Sequence, residues 1–176
     1  KLGLHYLDSG ALYRLVALKA IQLNADMQNS GQLAEIARNL NVFFKDEQIY
    51  LDGNIVTDDI RTEQCGITAS QLAAYPQVRA ALTDRQRAFR QPPGLVADGR
   101  DMGSVIFPDA DLKIYLTASA EVRAQRRYKQ LIEKGMSANI ANLLQDIQKR
   151  DERDSNRSIA PLQQGTDAKL LDTTSL

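Results

Sequence analysis

The sequence predicts an α/β fold in which parallel strands are joined by helical crossovers. Short apolar runs of strand length alternate with longer segments that have helical periodicity. This alternation is typical of parallel sheets, because two parallel strands need a long connection, which is usually a helix. The 176 residues are enough for one domain with a substantial core.

The stretch Pro93–Pro108, PGLVADGRDMGSVIFP, organises this prediction. Its apolar run Leu95–Ala97 predicts a buried strand, and charged residues and glycines follow immediately. Ligands bind at the carboxyl ends of strands in open α/β sheets, so this turn is a candidate site. Arg100 offers a planar fork for phosphate, and Asp98 and Asp101 can hold that fork or accept from a ligand. A surface turn with a local ion pair is the alternative.

A second strand-to-helix junction lies near the start of the chain. Leu4–Leu7 predicts a strand, and Ala11–Leu23 predicts a helix with apolar residues at helical spacing. Asp8 or Ser9 can cap this helix. The first backbone N–H groups of a helix point outward, so the junction is also a candidate anion site.

Three residues beside this junction have both a structural and a functional interpretation. Tyr13 and Arg14 lie in the first turn of the predicted helix, next to the candidate anion site. On the residues alone, a packed tyrosine and a solvated arginine explain them better than a functional role. His5, the single histidine, falls on a strand predicted to be buried, where packing explains it better than catalysis.

The middle of the chain changes from helical to β-rich character and back. Ser30–Leu40 predicts an amphipathic helix, and Asn41–Asp58 contains three β-rich pieces separated by turn residues. The Asp52-Gly53 step is a strong hairpin signal, so we expect a small antiparallel insert. The helices predicted next are Thr62–Tyr75 and Pro76–Arg90, since Pro is tolerated at a first helical position.

Several side chains of these two helices are expected to have structural roles. Cys65 is interpreted as a small packing residue of the first helix. The arginines of the second helix are interpreted mostly as a solvated face, with room for one exception: Arg79, Arg85, Arg87 and Arg90.

The last third of the chain repeats the strand and helix alternation. Leu112–Leu116 predicts a strand, and Ala118–Glu133 and Ser137–Asp154 predict long helices. A final strand is predicted at Ala168–Asp172. The order of strands and helices along the chain therefore favours a parallel sheet with helical connections.

A cluster of charges lies at the end of the last predicted helix. If that helix continues, Arg150, Arg153 and Arg157 share one face, and Asp154 lies between Arg150 and Arg157 on it. One interpretation is a solvent-exposed helix with ion pairs of about 0.3–0.5 kcal/mol each. The other interpretation is a row of guanidinium groups on a lid, held in place by Asp154.

Composition restricts the class of protein. The net charge is zero, so no general attraction to polyanions is expected. Among 22 basic residues 14 are Arg, which favours an anionic ligand, although a lineage preference for Arg explains the excess equally simply. One cysteine allows no intramolecular disulfide and fits a reducing cytoplasm. No signal peptide and no apolar run of membrane-spanning length occurs.

Both ends of the sequence resemble cuts in a longer chain. The chain begins without Met, and Gly3 resembles a residue just past a helix end. It finishes at Asp172–Leu176, which resembles the cap of a further helix. We therefore expect a piece of a longer protein.

Five motifs together closely resemble bacterial cytidylate kinases. The motifs are LDSGALYR (Leu7–Arg14), ASQLAAYPQVRAAL (Ala69–Leu82), RQRAFR (Arg85–Arg90), PGLVADGRDMGSVIFPDA (Pro93–Ala110) and RDERDSNR (Arg150–Arg157). The resemblance covers nearly the whole chain. It implies a P-loop kinase-type α/β fold, with a parallel sheet flanked by helices in three αβα layers. It also implies one nucleoside monophosphate kinase domain over 1–176, with a monophosphate-side insert at about 41–66 and a lid at about 149–160.

The resemblance further implies an activity and its site. The expected reaction transfers the γ-phosphoryl group of ATP to CMP and dCMP, with Mg²⁺. The residues expected to bind the acceptor are Ser9, Gly10, Tyr13, Arg14, Ser70, Arg79, Asp98, Asp101 and Asp154. The residues expected to act on the transferring phosphoryl group are Arg100, Arg150 and Arg157, and the lid residues expected to face ATP are Arg150 and Arg153. No residue of the chain is expected to be a metal ligand.

The expected base contacts have a physical basis. Cytosine carries an N4 amino donor where uracil carries an O4 acceptor. A carboxylate such as Asp101 accepts a hydrogen bond from the first and repels the second. Arg79 can donate to the N3 and O2 edge of cytosine.

One departure from the family pattern is large. The 176 residues contain no G-x-x-x-x-G-K-[ST] loop, whose N–H groups and Lys hold ATP phosphates in this family. We therefore expect these residues alone to be inactive and the parent protein to be a kinase. A UMP kinase of the same fold and a non-catalytic nucleotide-binding module remain alternatives. RNA binding through Arg123–Arg127 and Arg150–Arg157 is disfavoured, since stacking aromatics are lacking. We expect a monomer with no nucleic acid or membrane partner.

Overall fold

The computed structural model describes residues 3–176 and divides into two compact units. The first unit extends to Met102, and the second runs from Gly103 to Leu176. Each unit contains one pair of parallel strands with helices in the connection between them. The predicted α/β class with parallel strands and helical crossovers is therefore confirmed.

The first unit is built on β1 (His5–Asp8) and β5 (Leu95–Asp98), which pair in parallel. His5 lies opposite Leu95, and Asp8 lies opposite Asp98, so both strands end at the same level. The helices of the connection are α1 (Ser9–Gln22), α2 (Ser30–Arg38), α3 (Glu63–Leu72) and α4 (Pro76–Arg87), with a short 3₁₀ helix at Asp59–Arg61.

The antiparallel insert predicted between helices is present. Strands β2 (Val42–Lys45), β3 (Gln48–Leu51) and β4 (Asn54–Ile55) form a sheet in the order β2-β3-β4. Asp52 and Gly53 connect β3 to β4 with φ values of +52° and +83°, the left-handed conformation that a tight hairpin turn requires. The Asp-Gly signal therefore predicted both the turn and its position.

The core of the first unit lies between the helices and one face of the insert. It contains apolar side chains that are at most 2% exposed: Leu7, Leu12, Leu15, Val16, Leu33, Leu51, Ile60, Leu72, Val78 and Leu82. Leu12, Leu15 and Val16 recur at helical spacing and bury one face of α1. This packing fixes the start of α1, where the candidate site residues lie.

The second unit combines β6 (Ile114–Thr117) and β7 (Lys169–Asp172) with α5 (Ala120–Glu133) and α6 (Ile140–Ser155). The two strands pair in parallel. Helices α5 and α6 pack on each other around three buried residues, Ala124, Leu131 and Leu143. A π-helical turn, Met102–Ile106, follows the turn after β5.

The strands are less buried than the sequence predicts. Val96 of β5 is 47% exposed and His5 of β1 is also exposed, so the prediction of buried strands was wrong at these positions. Within residues 3–176 each of these strands pairs only with the other, which leaves part of both accessible. The His5 ring does not pack in a core, and its Nε2 lies 2.9 Å from the carbonyl oxygen of Pro92.

Helix ends follow capping side chains and differ from the predicted bounds by a few residues. Asp8 caps α1, so the helix begins at Ser9 and not at Ala11. Ser119 and Asn139 accept hydrogen bonds from the backbone N–H groups of the third residues of α5 and α6, which start later than the apolar spacing predicts. Helix α6 ends at Ser155, so the assumption that it continues to Arg157 was wrong.

Two observations concern the chain as a whole. No helix within residues 3–176 is both long and apolar enough to cross a membrane. The helix end expected before Gly3 involves Lys1 and Leu2, which lie outside the described residues.

Candidate active site

The start of α1 is fixed by two polar side chains. Oδ1 of Asp8 accepts a hydrogen bond from the backbone N–H of Ala11 at 2.9 Å. Ser9 is buried, and its hydroxyl donates to Oε1 of Gln86 at 2.7 Å. Nε2 of Gln86 in turn donates to the carbonyl of Leu82 at 3.3 Å, which fixes the orientation of the amide. Because an amide oxygen only accepts, the Ser9 hydroxyl hydrogen points at Gln86 in this state.

Gly99 allows the turn after β5 to lie against Ser9. A Cβ at position 99 would come within 2.9 Å of the Ser9 Cβ and 3.0 Å of the Met102 Cγ. Real Cβ atoms essentially never approach so closely. The missing side chain of Gly99 therefore makes room for Ser9.

Arg79, Asp101 and Tyr13 form a buried cluster. Nη2 of Arg79 donates to Oδ2 of Asp101, and Nη1 donates to the carbonyl of Ala73 at 3.2 Å. The guanidinium carbon lies 5.9 Å from the centre of the Tyr13 ring, within the range of a cation–π contact. Arg79 and Asp101 are only 6% and 4% exposed, so Arg79 does not belong to a solvated face of α4.

Arg14 is half-buried and bonded to the segment that precedes α3. Its Nη1 donates to the carbonyl oxygens of Ile60 at 2.7 Å and Thr62 at 3.3 Å. The Sγ of Cys65 donates to the carbonyl of Arg14 at 3.2 Å. Cys65 is 1% exposed, as the packing interpretation predicts, and burial raises the pKa of its thiol. The interpretation of Arg14 as a solvated arginine was wrong, because two backbone carbonyls hold it.

Two carboxylates end the parallel strands side by side. Burial, followed by the negative charge of Asp8, raises the pKa of Asp98, while Arg100 and a hydrogen bond with Tyr6 act in the opposite direction. The pKa of Tyr6 is also raised, first by burial and then by the charges of Asp98 and Asp8. The end of β5 is therefore an electronegative position next to the cationic Arg100.

The other acceptor residues predicted in the first unit lie on the same elements. Gly10 is the second residue of α1, and Arg100 is partly buried in the turn after β5. Ser70 is 5% exposed on α3. The contacts described above join Tyr13, Arg79 and Asp101 into one cluster and place Ser9 beside the turn that carries Arg100.

The second unit carries the predicted lid residues at the end of α6. Asp154 is buried, with Oδ2 at 3.7 Å from Nε of Arg150 and Oδ1 at 3.9 Å from Nη1 of Arg157. The side chain of Arg157 is only 5% exposed, and its Nη2 donates to the carbonyl of Ala160 at 2.9 Å. Arg153 is partly buried on the same helix. The solvent-exposed interpretation of this cluster was wrong, because Asp154 and Arg157 are both buried.

A bidentate ion pair, absent from the sequence analysis, holds α6 against α5. Nη1 and Nη2 of Arg123 donate to Oδ1 and Oδ2 of Asp151 at 2.9 and 2.5 Å, and Nε donates to the carbonyl of Ala118 at 3.0 Å. The hydrogen bonds that Arg123 donates to Asp151 raise the pKa of Arg123. Asp151 immediately follows Arg150, so this pair fixes the helix turn that carries the lid residues.

The arginines of α5 also have internal partners, which bears on the RNA-binding alternative. Arg126 donates to the hydroxyl of Thr173 at 3.1 Å and to its carbonyl at 2.5 Å. Together with the Arg123–Asp151 pair, these bonds tie α5 to α6 and to the end of β7. A phosphate backbone would have to compete with both sets of partners.

Metal binding by protein ligands alone has no support in the described part of the chain. Residues 3–176 bring together no group of three or more His, Cys, Asp or Glu side chains that could hold an ion. Mg²⁺ is usually bound by one or two carboxylates together with substrate phosphates.

The chain is similar over its whole length to members of one known protein family. The sequence model of the cytidylate kinase family matches residues 1–176. The cytidylate kinase of Nitrosomonas europaea is 61% identical over 175 residues, which cover 99% of this chain and 78% of that protein. That of Polynucleobacter asymbioticus is 59% identical over the whole chain and 80% of its own length. That of Burkholderia vietnamiensis is 58% identical over 99% of the chain and 77% of its length. The chain therefore belongs to the cytidylate kinase family.

Proposed function

We propose that the protein transfers the γ-phosphoryl group of ATP to CMP, and also to dCMP, which gives ADP and CDP or dCDP. The observation that carries the proposal is the buried pair of Arg79 and Asp101 beside the Tyr13 ring. A buried carboxylate and guanidinium held in one orientation present an acceptor and donors to the edge of a base. Family membership supports the same reaction.

Recognition of cytosine rests on Asp101. A carboxylate has lone-pair sites for more than one partner, so Asp101 can accept from Arg79 and from the N4 amino group of the base. Uracil would place its O4 acceptor at the same position and be repelled. Arg79 supplies donors for N3 and O2, and Tyr13 packs beside them. Ser70, buried on α3, is proposed to contact the same base.

The acceptor phosphate is proposed to lie between Arg14, Arg100 and the first turn of α1. Ser9 and Gly10 open that helix, and its outward N–H groups favour an anion. Arg100 follows β5 at the level where β1 also ends. Asp98 is proposed to orient Arg100. The positive charge of Arg100 lowers the pKa of Asp98, so the two groups interact.

The lid residues, on α6 and just after it, are proposed to complete the site. Arg150 and Arg157 neutralise charge on the transferring phosphoryl group, and Arg150 and Arg153 face ATP. Asp154 accepts from the ribose of the acceptor and holds the two arginines within 4 Å of its carboxylate oxygens. A closed lid also excludes water, which prevents hydrolysis of ATP.

Little covalent chemistry is required of these side chains. The acceptor phosphate is already ionised at neutral pH, so no general base is needed to activate it. Phosphoryl transfer depends mainly on alignment of the two nucleotides and on stabilisation of charge on the phosphate oxygens. We propose that the second substrate is the complex of Mg²⁺ with ATP, in which the ion screens the phosphate charges.

The decisive experiment measures ADP release by the intact protein with Mg²⁺ and ATP in the presence of CMP, dCMP, UMP or AMP. The proposal predicts strong turnover with CMP and dCMP, weak turnover with UMP and none with AMP. Equal turnover with UMP would favour a kinase of the same fold with a broader acceptor range. No turnover with any acceptor, by a folded protein that binds CMP, would leave a nucleotide-binding module and refute the enzyme.

A further inference from the structure

Gly66 provides the space in which the guanidinium of Arg14 lies. It is a buried residue in the interior of α3. A Cβ built on it would come within 2.8 Å of Nη2, 3.1 Å of Nη1 and 3.2 Å of Cζ of Arg14. The shortest of these distances is one that real Cβ atoms essentially never show. Arg14 can therefore occupy its present position only because residue 66 has no side chain.

Backbone conformation does not explain this glycine. Within residues 3–176 the glycines with positive φ are Gly3, Gly53, Gly94 and Gly135, and Gly66 is not among them. Glycine is also among the poorest helix formers, so its place inside α3 has no advantage for the helix itself. The feature that requires a glycine here is the approach of the guanidinium.

The same short segment holds Arg14 from three directions. The carbonyls of Ile60 and Thr62 accept from Nη1, and Cys65 donates to the backbone carbonyl of Arg14. Because Gly66 has no Cβ, the Nη ends of the guanidinium can lie close against the helix. A planar group held by two acceptors and one surface has little freedom to move.

We propose that Gly66 is a positioning residue for the acceptor nucleotide, because it determines where the guanidinium of Arg14 meets the acceptor phosphate. This inference rests on the proposed function, which places that phosphate beside Arg14. Any side chain at position 66 displaces the flexible end of Arg14 and leaves the backbone of α3 unchanged. The consequence is a loss of acceptor binding with little net change in folding stability, because the helix propensity of Ala offsets the hydrogen bonds that a displaced Arg14 loses.

The test compares Gly66→Ala with Gly31→Ala in the intact protein. A Cβ at Gly31, also in a helix, would lie 3.5 Å from Asn29 and 3.9 Å from Gln77, which are ordinary contacts. Gly66→Ala is expected to raise the KM for CMP about tenfold to a hundredfold, the range for a displacement of about 1 Å in a positioned group. The KM for ATP should stay within about twofold, and the melting temperature should change little, since the helix propensity of Ala offsets the hydrogen bonds that Arg14 loses. Gly31→Ala should leave both KM values unchanged.

A double-mutant cycle separates positioning from a general disturbance. Arg14→Lys removes the planar group that fills the space over Gly66. Arg14→Lys raises the KM for CMP by some factor in the wild-type protein. If Gly66 acts through Arg14, the same substitution should raise the KM by a much smaller factor in the Gly66→Ala variant. Independent effects that multiply in the double variant would overturn the inference.

A spectroscopic readout tests the contact without any activity. The Nε–Hε resonance of Arg14 should shift in Gly66→Ala and stay in place in Gly31→Ala. An unshifted resonance would overturn the inference whatever the acceptor is. If the resonance shifts but the protein does not phosphorylate CMP, the proposed function and the role of Gly66 in acceptor binding are both refuted. Only the packing contact between Gly66 and Arg14 would then stand.

Discussion

Arg79 donates to Asp101, and both side chains are almost completely buried. Removing two charges from water is costly, and a buried pair recovers that cost only with good geometry and further hydrogen bonds. The Ala73 carbonyl and the Tyr13 ring supply two more partners for the guanidinium. Apolar side chains of similar volume would serve stability equally well. The charges at this position are therefore better explained by recognition of a polar ligand than by folding.

Replacement of Asp101 tests that explanation. Asp101→Ala should remove the preference for CMP over UMP, because the acceptor for the N4 amino group is lost. We expect the ratio of kcat/KM values to fall about tenfold to a hundredfold, as one or two base-edge hydrogen bonds account for about 1–3 kcal/mol. Stability should also fall by about 3–5 kcal/mol, since Arg79 is left as a buried charge.

Asp101→Asn serves as the matched control for this variant. Its amide keeps the volume of the side chain and can accept from N4 of cytosine or donate to O4 of uracil. The preference for CMP over UMP should therefore decrease, with a smaller loss of stability than in Asp101→Ala. Assay at a temperature well below the melting point separates the two effects. An unchanged CMP to UMP ratio in both variants would refute the assignment of Asp101 to the base.

Asp154 has two possible roles that a pair of substrates can distinguish. A carboxylate is a natural acceptor for the 2′-hydroxyl of CMP, which dCMP lacks. Asp154→Ala should therefore reduce kcat/KM for CMP about tenfold more than for dCMP, within the range of a hydrogen bond to a charged group. An equal loss on both substrates would mean that Asp154 acts only by holding Arg150 and Arg157.

Gly99→Ala should be much more disruptive than Gly66→Ala, although both add one methyl group. At position 99 the new Cβ meets the Cβ of Ser9, which can move only together with the start of α1. At position 66 it meets the flexible end of an arginine. We expect Gly99→Ala to lower the free energy of unfolding by about 1–3 kcal/mol and to weaken CMP binding. Denaturant unfolding and CMP titration measure both, and wild-type values for both would contradict the packing described here.

The raised pKa of Asp98 predicts a specific pH dependence of stability. Since burial and Asp8 raise this pKa, the folded protein keeps the Asp98 proton to higher pH than the unfolded chain does. As pH rises from the ordinary aspartate pKa of about 3.9 through the raised value, the wild type should lose stability relative to Asp98→Asn. Below the ordinary aspartate pKa, the stabilities of the wild type and Asp98→Asn should have the same pH dependence.

Asp172 offers a comparison of opposite sign for this experiment. Hydrogen bonds from the Thr174 hydroxyl and backbone N–H lower the pKa of Asp172. The wild type should therefore gain stability relative to Asp172→Asn as pH rises toward the ordinary aspartate pKa. Melting temperatures of the three proteins across the acidic range give both slopes. If the stability difference from the wild type changes with pH in the same direction for both variants, the electrostatic explanation of Asp98 is refuted.

The sequence predicted the elements that depend on local chemistry. Asp52-Gly53 gave the hairpin, and Pro76 is the first residue of α4, because turn and helix-start residues act on their own neighbourhood. Burial of strands was less predictable. An apolar run such as Leu95–Ala97 has the same composition whether its faces are covered or accessible, and Val96 is exposed.

Predicting the site depended on how far apart the partners lie in the chain. Asp101, Arg79 and Asp154 each lie in a distinctive local motif, and all three are buried, while their roles in the site stay predictions. Gln86 was missed, since its partner Ser9 is 77 positions away and the residues around it are ordinary for a polar helix. Gly66 was missed for a related reason, because a glycine that makes room for a distant side chain has no local signature.

The buried state of Cys65 has a practical consequence for the study of motion in this protein. The thiolate is the reactive form of cysteine, and burial with a raised pKa keeps Cys65 protonated and inaccessible. Cysteines introduced at exposed positions such as Glu47 in the insert and Ser155 at the end of α6 will therefore take up maleimide dyes selectively. Energy transfer between two such dyes can follow the distance from insert to lid as each nucleotide binds. Native Cys65 does not need to be removed, because it stays unlabelled.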